Sequence, residues 1–458
     1  MDMTTIATLT LPPTSYVPRP YEGPTRAEVL ADRRRFTNPA IFTLYADPLM
    51  IVEGRGQYVW DETGRRYLDF FAGIVTLSCG HSHPTVVSRV REQLEVLQHT
   101  TTIYLHPNFP RLAKALAARM PEGLDVTYFV NSGSEANDLA VTMARAFTGN
   151  VDVLALRNAY HGGTPGAMGL TSHSTWKYNN VEYGGRVHHV MNPDPYRSPF
   201  AGTPEEIASQ SVNDIREVIR FSTPGRVAAF IAEPINGVGG VTLGAPNYLR
   251  EAYATVREHG GLCIADEVQT GFGRTGEHFW GFQNWGVVPD MVTMAKSIGN
   301  GLPLAAVTTR MDVAKTLATR LHLNTFGGNP ISCAAGLAVL DVIEAEGLQQ
   351  NAKERGAQLK AGLTELATRH PIIGDVRGMG LMLGVELVSN RGTREPSKPA
   401  ATEVIEAAKE MGLLLGRGGI DGNVLRIKPP LIISALDVEY ALEVLDRAFT
   451  RAEGRPAA

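Results

Sequence analysis

The sequence predicts an α/β fold: a large domain built on a mostly parallel central sheet flanked by helices, followed by a smaller α+β domain. Three observations predict it. Short continuous apolar runs alternate with helix-length stretches between about residues 126 and 294. After about residue 335 that order gives way to helices broken by isolated strands. The 458 residues are also too many for one ordinary core.

The apolar runs lie at 126–130, 153–156, 227–232, 262–265 and 291–294. Each is brief and continuous rather than alternating, as expected of strands buried on both faces of a parallel sheet. Between the first two, 134–147 reads as a helix with Leu139, Met143 and Phe147 recurring every fourth residue as one apolar stripe. This alternation is α/β architecture. Upstream, residues 1–40 are rich in proline and threonine and then in arginine, and predict an extended arm. Residues 57–71 predict a β-hairpin with a slightly long turn at 61–64. Downstream, helices are expected at 334–347 and 351–370, a glycine-punctuated strand at 380–387, a helix at 402–411, a strand at 424–427 and a last helix at 435–452. The expected division is therefore 1–75 (arm and hairpin, packing with the small domain), 76–335 (large domain) and 336–458 (small domain).

Composition excludes several classes. The formal net charge of -4 offers no basic face for nucleic acid or an anionic membrane. No apolar run is long enough to span a bilayer. The three cysteines, Cys79, Cys263 and Cys333, are far apart and odd in number, which argues against a disulfide scaffold. The first twenty residues carry only Asp2 and Arg19 as charges, unlike a secretory signal or an Arg-rich transit peptide. A cytoplasmic location is the expectation from these readings.

Three motifs imitate other chemistries. Gly271-Phe-Gly-Arg-Thr-Gly276 matches the dinucleotide fingerprint, but neither follows a strand directly nor opens a helix, so a glycine-rich loop is expected. The strand at 262–267 resembles the acidic strand of a nucleotidase, yet no phosphate-binding P-loop occurs. Cys79-Gly-His81-Ser-His83 has no matching ligand cluster, and a tight turn with hydrogen-bonded histidines is expected instead of a metal site.

Three other motifs carry chemistry together. Asn131-Ser132-Gly133-Ser134-Glu135-Ala-Asn137 lies between a buried strand and the striped helix, and Ser132 with Glu135 fits a capping box. Exposed amides and the positive dipole end make such a helix start an anion site, although alone it could be a plain cap. Asp266 ends a second buried strand and Lys296 follows a third. Ligands of open parallel sheets bind at these carboxyl ends. Asp266 could serve an ion pair and Lys296 could lie at the surface, but a buried lysine makes most sense as a reactive amine. An anion cradle, an amine for an aldehyde and an acid for a pyridine nitrogen are what pyridoxal 5'-phosphate requires.

At this point the chain resembles the class III aminotransferases of the fold-type-I pyridoxal-phosphate enzymes, and within them the alanine–glyoxylate branch. The resemblance runs from about Tyr45 to the final helix. It is carried by Arg157-Asn-Ala-Tyr160-His161-Gly-Gly, Asn192-Pro-Asp-Pro-Tyr196-Arg197, Asn324-Thr325-Phe-Gly-Gly-Asn329-Pro and Val424-Leu-Arg426-Ile-Lys428-Pro-Pro. The resemblance implies that Lys296 and Asp266 are catalytic, and that Ser132, Gly133, Ser134, Tyr160, His161, Val268 and Gln269 join them around the cofactor. Gly133 and Ser134 would hold its phosphate. Tyr160 and Val268 would flank the ring, and Gln269 would bond its hydroxyl. Thr325 would reach the phosphate of a partner subunit, so a homodimer is implied, with a dimer of dimers left open. Arg426 would clamp a substrate carboxylate, with Glu233 as its ion-pair partner when the carboxylate is away. Asn236 stands where many relatives have glutamine, which bears on the substrate preference. Ile74, Val75 and Trp176 are further candidates for the side-chain pocket. The implied activity is amino transfer by a ping-pong mechanism, from L-alanine or a β- or ω-amino acid to a 2-oxo acid such as glyoxylate or pyruvate. A racemase, epimerase or aminomutase on the same scaffold is the alternative, and a non-catalytic protein is disfavoured by the intact residue set.

Overall fold

The structure is a computed structural model and describes residues 9–454. The first eight residues of the expected arm and the last four of the expected small domain lie outside the described residues.

In chain order the strands are β1 (Ile51–Arg55), β2 (Tyr58–Asp61), β3 (Arg66–Asp69), β4 (Val126–Val130), β5 (Val153–Leu156), β6 (Val187–Val190), β7 (Ala229–Ala232), β8 (Leu262–Asp266), β9 (Met291–Met294), β10 (Ala305–Thr309), β11 (Ile373–Met379), β12 (Met382–Asn390), β13 (Glu395–Pro396), β14 (Leu413–Leu414), β15 (Gly416–Gly418) and β16 (Val424–Ile427). Among the described residues they form three sheets. The central one has the order β4-β10-β9-β8-β7-β5-β6. Its neighbours pair in parallel except around β10, which runs antiparallel to both β4 and β9.

The apolar runs are continuous because alternate residues enter two different cores. In β7, Phe230 and Ala232 join the core beneath the helices Pro204–Ser222 and Tyr248–Glu258, while Ala229 and Ile231 join the one beneath the helix Gly133–Thr148. Period-two alternation therefore persists, with both faces apolar.

Of the stripe expected of it, the helix Gly133–Thr148 buries Met143 fully and Leu139 partly. The rest of its buried face is Ala136, Asn137, Ala140, Val141 and Ala144, mostly small residues that let it approach the sheet closely. Phe147 is exposed beneath the Arg310 guanidinium, 5.5 Å from its ring centroid. The expected arm also contains a helix, Arg26–Phe36, started by a Thr25–Glu28 capping box. It buries no residue, so no apolar stripe announced it. β6 and β10 were not expected either. Val-His-His-Val and Ala-Ala-Val-Thr-Thr lack the aliphatic density of the other runs.

The hairpin at 57–71 forms as β2 and β3, with β1 added on its outer side. The far edge of β3 pairs in parallel with β14, joining this sheet to the C-terminal region. There β11 and β12 make an antiparallel hairpin, followed by β16 and β15. The glycine-rich 271–276 segment is a run of turns, with Gly276 at φ +82° against the backbone of Lys353. His81 and His83 bond separate carboxylates, those of Asp69 and Glu346.

Candidate active site

β4, β7, β8 and β9 run in one direction, so their carboxyl ends share an edge of the central sheet. Residues just beyond those ends (Ser132, Glu233, Asp266 and Lys296) line one cavity of about 280 Å³.

The cavity floor is the start of the helix Gly133–Thr148. Ser132 is its N-cap, and Ser132 Oγ accepts from Glu135 N at 3.2 Å. Glu135 accepts at Oε1 from Ser132 Oγ at 3.4 Å, but not from the Ser132 backbone N–H, which the expected capping box requires. Its Oε2 accepts from Asn131 N at 3.1 Å, one residue further back. The N–H groups of Gly133 and Ser134 find no acceptor among the described residues, and both residues line the site. Ser134 Oγ accepts from Gly163 N at 3.0 Å, which draws the 161–163 loop over the helix start. Gly162 makes that approach possible. Its φ is +136°, and a Cβ there would lie 2.3 Å from Ser134 Oγ. The result is an amide-lined cradle at a positive dipole end, suited to a phosphate.

Asp266 ends β8 and is buried. Its Oδ2 accepts from His161 Nδ1 at 2.7 Å and from Asn137 Nδ2 at 2.8 Å, and its Oδ1 accepts from Val268 N at 3.1 Å. Asn137 is fixed in turn by Thr293 Oγ1, 2.7 Å away on β9. The carboxylate is thus held in one orientation. His161 Nε2 is buried without a partner among the described residues.

Lys296 opens a short 3-10 turn immediately beyond β9, with φ +50°. A left-handed conformation at a non-glycine residue costs of order 1 kcal/mol and is typical of functional positions. Its amine has no hydrogen-bond or ion-pair partner among the described residues. Burial pushes its pKa below the usual lysine value, Asp266 and Glu233 oppose that shift, and Arg426 adds to it. Next to it, Ser297 Oγ bonds Ser78 Oγ at 2.7 Å and Val75 O at 3.2 Å. Val75 belongs to a run of four positive-φ residues, 72–75, in which only Gly73 favours that conformation.

Tyr160, His161, Val268 and Gln269 also line the cavity. The Tyr160 ring lies 5.1 Å from that of Trp176, tilted by 56°. Val268 packs over Gly133. Gln269 is buried and accepts at Oε1 from Lys428 Nζ, 2.9 Å away.

Glu233 and Arg426 do not form the expected ion pair. Glu233 accepts from two backbone amides instead, Gly237 N at 2.7 Å and Tyr160 N at 3.2 Å, and burial raises its pKa. Arg426 stacks on Phe71, 5.1 Å from its centroid, and donates through Nε to Arg417 O at 3.0 Å. Burial lowers its pKa to about 10, an effect that Glu233 opposes. Thr325 is exposed and outside the lining of this cavity, and Ile74 and Val75 do not line it either. Asn236 is buried, its Nδ2 without a partner in the chain. The sequence reading missed Asn137, Lys428 and Arg274. Asn137 and Lys428 stood inside motifs already quoted. Arg274, fully buried among carbonyl groups, sits within the rejected dinucleotide motif.

The family model for class-III aminotransferases matches residues 44–449. An alanine–glyoxylate aminotransferase 2 homolog from Arabidopsis thaliana, named as mitochondrial, is 50% identical over 96% of this chain and 91% of its own. The human alanine–glyoxylate aminotransferase 2, also named as mitochondrial, is 42% identical over 96% and 90%. Among solved structures, an amine transaminase from an uncultivated Pseudomonas species in a pyridoxal-phosphate-bound form aligns with a TM-score of 0.85 at 33% identity, covering 91% of this chain and 99% of its own. The two relatives overturn the expected cytoplasmic location. That expectation rested on the cysteine pattern and on the lack of an arginine-rich segment or apolar span, not on any positive signal.

Proposed function

This chain belongs to the class-III aminotransferase family and is a pyridoxal-phosphate-dependent aminotransferase; within that activity we propose which residues serve the cofactor and which amino group is moved. The observation carrying the proposal is the convergence of Lys296, Asp266 and the helix-start cradle on one cavity. The cavity fits the cofactor. It offers two free backbone amides with glycine clearance for a phosphate, an anchored carboxylate for a ring nitrogen, and an amine without a partner.

Bound there, pyridoxal phosphate supplies an aldehyde to take up the amino group and a ring to accept electrons from the substrate carbon. The backbone amides of Gly133 and Ser134 hold the phosphate, under the Ser132 cap. Tyr160 and Val268 close the two faces of the ring, and Gln269 offers its side-chain amide to the ring oxygen. Asp266 keeps the ring nitrogen protonated, and His161 and Asn137 prevent the carboxylate from turning away. Lys296 holds the aldehyde between turnovers and, when free, moves a proton at the substrate α-carbon. Its depressed pKa favours the neutral amine that this work needs. Arg426, a planar cation with Nε already occupied, presents its remaining donors to a substrate carboxylate. Glu233, bonded to Tyr160 N and Gly237 N, shapes the wall beside Tyr160 and is not proposed as a switch for Arg426.

The proposed donor is L-alanine or a β- or ω-amino acid, and the acceptor a 2-oxo acid such as glyoxylate or pyruvate. The names of the two relatives support this choice. Neither is named for racemisation, epimerisation or amino migration, and no observation favours that alternative. Adding L-alanine alone to the holoenzyme should convert the visible absorbance of the bound cofactor to its amine form, and glyoxylate should restore it. An unchanged spectrum with alanine, β-alanine and ω-amino acids alike would reject the donor class.

Two further proposals concern assembly. Thr325 lies on a loop with exposed Leu321, Leu323 and Phe326, which supports a homodimer in which this loop faces the partner's phosphate cradle. Sedimentation at the dimer mass agrees with it, and a fully active monomer rejects it. The β3–β14 pairing supports an N-terminal sheet packed on the C-terminal domain, while the proposed boundary near 335 falls inside the helix Pro330–Ala345, which would link the two domains.

A further inference from the structure

Lys428 is the fully buried lysine whose function the activity does not explain. It stands two residues beyond Arg426, just past β16. Its Nζ donates to Gln269 Oε1 at 2.9 Å and to Gly237 O at 3.2 Å, and it has no carboxylate partner among the described residues. The charged groups that face it are Arg426, Glu233, Lys296 and Arg274. Three of those four are cations. A lysine buried in such company is costly, and an apolar side chain of similar length would fill the space at lower cost.

What the lysine does is visible at Gln269. An ammonium group can only donate, and even a neutral amine has its two N–H bonds taken up by the two carbonyl oxygens. While Lys428 is charged the Gln269 oxygen must face it, and the neutral amine keeps that arrangement by donating to both oxygens, as the observed contacts show. Gly237 presses on the same amide, since a Cβ there would lie 2.4 Å from it. The amide is therefore pinned with Oε1 inward. Gln269 Nε2 has no partner among the described residues, and Gln269 lines the cavity.

We propose that Lys428 is a positioning residue that locks Gln269 with its amide nitrogen toward the cofactor cavity, so that this wall presents a hydrogen-bond donor to an oxygen of the bound cofactor. The inference rests on the cofactor reading of the cavity given above. Without Lys428 the amide is free to turn, and the donor is lost for part of the time.

The test is a double-mutant cycle read in cofactor affinity, with apoenzyme titrated with pyridoxal phosphate by absorbance. Lys428→Met should weaken binding about tenfold, the worth of one hydrogen bond, and shift the bound cofactor's absorbance in the same direction as Gln269→Leu. The double variant should bind no more weakly than Gln269→Leu alone, because Lys428 acts through that residue. The thermal midpoint of Lys428→Met apoenzyme should not fall, since the change removes a buried amine that has no carboxylate partner among the described residues. If Lys428→Met does not fold, Lys428→Gln enters the same cycle with the same expectation. Wild-type affinity in the lysine variant, or losses that multiply in the double variant, would overturn the proposal. Failure of the cofactor reading itself is separate: it would show as wild-type turnover by Lys296→Ala.

Discussion

His161 Nδ1 lies 2.7 Å from Asp266 Oδ2, with both side chains buried and Asn137 on the same oxygen. The acid that serves the ring nitrogen is therefore aimed by residues from two other segments. Hydrogen bonds to charged groups contribute about 1.5–3 kcal/mol. His161→Leu should lower kcat/KM roughly 30-fold and leave the fold intact, as read by steady-state kinetics beside thermal unfolding. An unchanged rate would show that Asp266 is oriented without His161.

The phosphate cradle depends on the absence of one methyl group. A Cβ on Gly162 meets Ser134 Oγ at 2.3 Å, in a backbone conformation that L side chains rarely adopt. Gly162→Ala should displace Ser134 or the loop and weaken cofactor binding at least about tenfold, a cost of over ~1 kcal/mol. Gly185→Ala, with nothing within 4 Å of its Cβ, should bind normally. Apoenzyme titration distinguishes the two.

The Lys296 amine should respond to its charged neighbours with opposite signs. Burial and Arg426 lower its pKa, and Asp266 raises it. Cofactor capture by apoenzyme needs the neutral amine, so its rate should rise with pH through a midpoint below 10.5. Arg426→Gln should move that midpoint up and Asp266→Asn should move it down, measured as capture rate against pH. The same depression has a consequence for stability. Between the lowered pKa and 10.5 the unfolded chain holds more protons at Lys296 than the native one, so this residue's contribution to stability rises with pH there.

Arg426 should matter to substrate more than to cofactor. Arg426→Gln removes the planar donors proposed for the substrate carboxylate, and kcat/KM for L-alanine should fall roughly 10- to 100-fold, about 1.5–3 kcal/mol. Affinity for pyridoxal phosphate should change little, because Arg426 does not line the cofactor cavity.

Much of the site was legible because strand ends are legible. Asp266 and Lys296 follow apolar runs too short and continuous to be anything but buried strands, and the topology of a parallel sheet does the rest. What escaped were relationships between distant segments. Nothing local in Val424-Leu-Arg426-Ile-Lys428 says that Lys428 turns inward to Gln269, or that Arg426 lies on Phe71 rather than beside Glu233. The helix Gly133–Thr148 was placed correctly, but of its expected stripe only Met143 is fully buried, because close packing turned the alanines beside it to the sheet and left Phe147 exposed. The exposed helix Arg26–Phe36 carried only its capping box as a signal.

The central claim is that Lys296 is the residue that holds the cofactor, and a second buried lysine, Lys428, stands nearby as a built-in rival. Borohydride treatment of the holoenzyme, followed by digestion and peptide mass measurement, decides between them. The account predicts the cofactor's mass on the peptide containing Lys296, and its loss in Lys296→Ala. The added mass on the Lys428 peptide, or on neither, would contradict it.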